Sequence, residues 1–167
     1  MEPRGLKLPL PPINSMDLWS IPEPFSYVGA AGFEDRSLAV LNEALLARKR
    51  LDRVIGIKYL PFKDENRVSE FERLAAGLGI SKDKCHWITY DRFNPEEFSD
   101  YDKLIRDAAL HSSTLIVDVS GMSKLLIIAL LQSLRRIERR VDIAYAEAAV
   151  YHPTREAFTA QLEANLE

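Results

Sequence analysis

The chain has 167 residues and a mass of 19.0 kDa, with 47% hydrophobic and 28% charged residues. That balance fits one soluble globular domain and excludes a disordered or fibrous protein. A net charge of −3 and a pI of about 5.7 argue against coating duplex nucleic acid by charge alone, while leaving room for a small anionic ligand.

Six of the nine prolines fall before residue 25, which predicts an extended Pro-rich arm over 1–24 ahead of one domain over 25–167. Leu8, Leu10, Ile13, Leu18 and Trp19 give the arm apolar side chains to lay on the body or on a partner. Pro3, Pro9, Pro11 and Pro12 stand where a secretory leader would need an apolar run, and the longest apolar run, 125–131, is too short to span a bilayer. The expectation is a cytoplasmic protein with no membrane partner.

From Phe25 onward, short β-branched and aromatic runs predict strands near 25–30, 53–59, 85–90, 114–119 and 141–146. Helical patterns lie between them near 35–50, 65–78, 96–111 and 122–139, and Pro153 suits the first turn of a last helix. Strands alternating with helices imply right-handed crossovers and an α/β, Rossmann-like three-layer sandwich around a mostly parallel five-stranded sheet. The fourth strand, Thr114-Leu115-Ile116-Val117-Asp118-Val119, is apolar on both faces until its end, as a central strand should be.

Ligands in such sheets bind outside the carboxyl ends of the strands, where strand order reverses; for the order 3-2-1-4-5 this lies between the first and fourth strands. After the first strand come Gly29-Ala30-Ala31-Gly32-Phe33-Glu34-Asp35-Arg36-Ser37. Small residues let a ligand approach the backbone, the helix start offers N–H groups, and Arg36 is a candidate phosphate contact. The plainer alternative is a tight turn at Gly29 and Gly32 with Asp35 as helix cap. The spacing is not the Gly-x-Gly-x-x-Gly dinucleotide fingerprint.

After the fourth strand come Asp118-Val119-Ser120-Gly121-Met122-Ser123-Lys124. Two hydroxyls, a glycine and a first-turn lysine converge at the expected crevice, and a lysine there opposes the helix dipole unless it answers an anion. Without a ligand, Ser120 would cap the helix and Lys124 would be solvated. The segment is not a Walker loop, nor does it show the paired acidic residues of a phosphoribosyltransferase loop.

The run Leu115-Ile116-Val117-Asp118-Val119-Ser120-Gly121-Met122-Ser123-Lys124 resembles the fourth-strand signature of CRISPR-associated Rossmann-fold (CARF) domains. In that family a strand ending in Asp or Asn leads into Thr/Ser-Gly-Gly-Thr-Lys and a helix. The resemblance implies ligand contacts at Ser120, Gly121, Ser123 and Lys124, and a dimeric sensor of cyclic oligonucleotides in prokaryotic antiviral defence. It further implies an effector or defence-complex partner.

Secondary candidates lie at the other strand ends. They are Tyr59, Lys63, Asn66 and Arg67, then Asp91 and Arg92, then Tyr145, Glu147, Tyr151 and His152, whose aromatic rings suit stacking on a base. Neither His86 nor His111 has metal-ligand spacing, so no metal and no cofactor is expected. The lone Cys85 excludes an internal disulfide and reads as a small core residue.

The helix over 122–137 is apolar nearly all round, which predicts burial on a second side by the C-terminal helix, the Pro-rich arm or a second subunit. The expectation is a homodimer, with Arg135, Arg136, Arg139 and Arg140 as the helix's basic end. The sequence therefore reads first as a domain binding a nucleotide-type ligand. Its predicted contacts are Gly29, Gly32, Phe33, Glu34, Arg36, Ser37, Asp118, Ser120, Gly121, Met122, Ser123, Lys124, Tyr145 and Glu147. The alternative is an enzyme cleaving an N-glycosidic or phosphodiester bond of a nucleotide or NAD-like substrate, with Glu34 and Asp118 as catalytic carboxylates. A protein-interaction module is the third reading.

Overall fold

The computed structural model describes residues 15, 17–61, 66–91, 93–94 and 101–147. The expected last helix, most of the Pro-rich arm, Lys63, Arg92, Tyr151 and His152 lie outside the described residues.

Five strands form one parallel sheet among the described residues: β1 (Phe25–Ala30), β2 (Leu51–Leu60), β3 (Cys85–Asp91), β4 (Thr114–Asp118) and β5 (Arg140–Ala144). Their spatial order is β3-β2-β1-β4-β5, so direction of travel across the sheet reverses at β1 and β4. The helices are α1 (Ala39–Leu46), α2 (Val68–Gly77), α3 (Asp102–Leu110) and α4 (Lys124–Leu134). This is a Rossmann-like α/β fold.

Alternation along β1 sends Phe25 and Tyr27 to one face and Val28 and Ala30 to the other. Phe25 and Tyr27 pack with Leu41 of α1 and Phe71 and Leu74 of α2. Val28 and Ala30 join Ile105 of α3 and Leu126 and Leu130 of α4. Every β1 and β4 residue is buried, because helices cover both faces of these central strands. Each large side chain buried this way contributes about 1.5–3 kcal/mol.

The structure shifts several boundaries. The helix expected from residue 35 begins as a 3-10 turn, Asp35–Leu38, where the Ser37 hydroxyl donates to the Glu34 carbonyl at 2.7 Å. It ends early because Arg48 takes a positive φ of 52° and the buried Lys49 turns back to pair with Glu23. Within the stretch expected as an extended arm, Leu18–Ser20 form a 3-10 turn, and Leu18 and Ile21 are buried in the core. The α4 helix stops at Leu134, after which Ile137 folds back onto the core.

The expected second covering of α4 is not present among the described residues. Leu126, Leu130 and Leu134 are buried, but Leu125, Ile128 and Leu131 are 47%, 55% and 42% exposed. No helix among the described residues is long and apolar enough to cross a membrane.

Candidate functional site

At the carboxyl ends of β1, β2 and β4 the loops after β1 and β4 touch through their backbones. A Cβ added to Gly121 would lie 2.7 Å from the Ser37 Cβ and 3.2 Å from the Ala30 carbonyl oxygen. Only glycine permits that approach, so Gly121 serves the junction between the two loops. Around the junction opens a crevice of about 350 Å³, with Gly32, Phe33, Glu34 and Arg36 on one side. Ser120, Gly121, Met122 and Ser123 form the other side, and Tyr59, Leu60, Pro61 and Asn66 close it from the end of β2.

Beneath the crevice lies a buried polar relay. The Tyr27 hydroxyl donates to Asp118 at 2.9 Å, and the Ser120 N–H and hydroxyl donate to the other Asp118 oxygen at 2.9 and 2.5 Å. The Ser120 hydroxyl accepts in turn from the Ala146 N–H at 2.8 Å, tying the chain after β5 to the same turn. Gly29 makes this possible: a Cβ there would sit 2.3 Å from the Tyr27 hydroxyl oxygen. Burial raises the Asp118 carboxyl above its ordinary range, against the opposing hydrogen bonds from Ser120 and Tyr27. Burial likewise pushes the Tyr27 hydroxyl well up, and the adjoining Asp118 adds to it.

The crevice wall carries a second relay. Arg36 donates through Nε to Glu34 and through one terminal nitrogen to the Tyr145 hydroxyl at 2.8 Å. Its guanidinium also lies over the Tyr145 ring. The hydrogen bond to Glu34 is the main cause that raises the Arg36 pKa above its ordinary value. Nearby, Arg67 bridges Asp35 and Glu70 and donates to the Phe33 carbonyl.

Tyr59 links β2 to the β4 loop: its hydroxyl donates to the Gly121 carbonyl at 3.1 Å and accepts from the Ser123 N–H at 2.8 Å. The helix cap is Ser123 and not Ser120; the Ser123 Oγ accepts from the Leu126 N–H at 3.2 Å, an arrangement worth about 1 kcal/mol.

The structure thus brings Gly32, Phe33, Glu34, Arg36, Ser120, Gly121, Met122 and Ser123 to one opening. Phe33 stands 66% exposed at its mouth. Ser37 is buried, and Asp118, 1% exposed, points into the protein with its oxygens committed. Gly29 lies under the Tyr27 phenol, and Lys124 and Glu147 are exposed outside the lining. Tyr145 reaches the site through Arg36 and also lines a second groove, between α1 and the end of β5, with Leu18 and Val40. Tyr27 escaped sequence reasoning; its only signal is a polar-tipped aromatic two residues before a glycine in a central strand. Leu60 and Pro61 escaped it as well. No group of His, Cys, Asp and Glu among the described residues is arranged to hold a metal ion.

The fold and site define a Rossmann-like α/β domain with a crevice at its topological switch point. No family model matches the chain, and no curated protein matches it. Among solved structures it is similar to a universal stress protein in complex with cAMP, at 16% identity and a TM-score of 0.41, over 72% of this chain and 96% of that one.

Proposed function

We propose that this chain is a ligand-binding domain for a nucleotide-type molecule seated between the loops after β1 and β4. One observation carries the reading: the crevice occupies the reversal point of the sheet and joins an exposed aromatic ring, Phe33, to hydrogen-bonding groups on three strand ends. The ring stacks on a base, while Asn66, Ser123 and backbone groups meet its polar edge or the sugar.

Binding without turnover is favoured over catalysis because both candidate carboxylates are engaged. Asp118 is buried in the Tyr27–Ser120 relay, and Glu34 is paired with Arg36. The finer reading is a sensor of cyclic oligonucleotides that signals to an effector in antiviral defence. It rests on the resemblance at Ser120–Lys124, and each crevice would take the base and sugar of one unit of the ligand.

The test is calorimetry with the four ribonucleosides, their monophosphates and their triphosphates, on wild type and Phe33→Ala. Stacking on an aromatic ring is worth about 1–3 kcal/mol per base, so the variant should bind roughly 5–150-fold more weakly. Its melting temperature should be unchanged, because the ring is exposed. Absence of binding by every panel member, or equal affinity in the variant, overturns the reading.

A further inference from the structure

Resting on that reading, we infer that the crevice recognises the nucleoside portion of its ligand and discriminates against phosphate charge. The charged groups lining it among the described residues are Glu34 and Arg36, and they are paired with each other. Arg36 also spends a terminal nitrogen on Tyr145. The neighbouring cation, Arg67, is held by Asp35 and Glu70. Among the described residues, two arginines therefore answer three carboxylates around this mouth, and Lys124 adds a charge only from the exposed start of α4.

The α4 terminus is also partly spent. The Ser123 N–H is taken by the Tyr59 hydroxyl and the Leu126 N–H by the Ser123 side chain. Among the described lining residues, a triphosphate entering here meets one cation that is already paired and a β4 loop whose Ser120 and Ser123 N–H groups already have acceptors. The rest of the lining suits an uncharged base and sugar. Phe33, Leu60, Pro61 and Met122 offer apolar surface, Asn66 offers an amide, and the Glu34 carboxylate keeps a second oxygen for a ribose hydroxyl. A volume of about 350 Å³ lies at the small end of ligand pockets and suits one such unit.

The ion pair makes the inference testable at a single position. Glu34→Gln leaves a similar shape but releases Arg36 from its carboxylate partner, so Arg36 becomes available to a phosphate. The same panel should show, for whichever base binds, the nucleoside at least as tight as its monophosphate and about tenfold tighter than its triphosphate. Wild-type affinity for the nucleoside should be nearly independent of salt. In Glu34→Gln, the ratio of monophosphate to nucleoside affinity should rise about tenfold. A triphosphate binding more tightly than the nucleoside, or a ratio unmoved by Glu34→Gln, overturns this inference while leaving nucleotide-type binding in place. Failure of every panel member to bind overturns both.

Discussion

Replacing Asp118 tests the buried relay that holds the β4 loop. Asp118→Ala removes one carboxylate but orphans three donors: the Tyr27 hydroxyl, the Ser120 N–H and the Ser120 hydroxyl. Each buried unsatisfied donor costs about 1–3 kcal/mol, partly offset by relief of a desolvated carboxylate, for a net loss of roughly 3 kcal/mol. At about 2–4 °C per kcal/mol for a chain of this size, melting should fall by roughly 6–12 °C. Tyr27→Phe leaves the carboxylate its two Ser120 donors and should cost only about 1 kcal/mol. Asp118→Asn keeps an acceptor for Ser120 and removes the buried charge, so it should stay close to wild type.

The pH dependence has a definite sign. Burial raises the folded carboxyl pKa, so its stabilising contribution is full below the unfolded value of about 3.9 and is lost as pH rises through the folded value. Asp118→Asn should therefore gain on wild type as pH is raised from the unfolded value of about 3.9 toward neutrality. Thermal melts of all four proteins across that range provide the assay. An Asp118→Ala variant melting within about 2 °C of wild type would refute the relay as the element holding this loop.

The junction between the two loops gives a second expectation. Gly121→Ala places a Cβ against the Ser37 Cβ and the Ala30 carbonyl, so it should cost about 1–3 kcal/mol in chemical denaturation and weaken ligand binding; an unchanged midpoint would show that the loops part freely. The homodimer expected from the sequence would bury the exposed α4 stripe of Leu125, Ile128 and Leu131. Ile128→Glu should then yield a folded monomer by light scattering, whereas a wild-type chain that is already monomeric at tens of micromolar removes the dimer.

Much of the architecture is local information. Apolar β-branched runs place the strands because such side chains fit a pleated, buried surface, and the alternation with helices implies parallel pairing. The doubly apolar run 114–117 marks a central strand, and the glycine-bearing segments after β1 and β4 mark where loops open over the strand ends. These features depend on neighbours a few residues away. Tertiary structure decided which of the site's polar groups face a ligand. The Tyr27–Asp118 bond joins residues 91 positions apart and needs both the β1–β4 register and the missing side chain at Gly29. The phase of α4 turns Lys124 outward, and the 3-10 turn after Glu34 lets Arg36 fold back on it. A carboxylate or a lysine reads the same in sequence whether it is committed or available. What separates the two is desolvation and the partner that packing brings within about 3 Å, quantities that exist only once distant segments share a core.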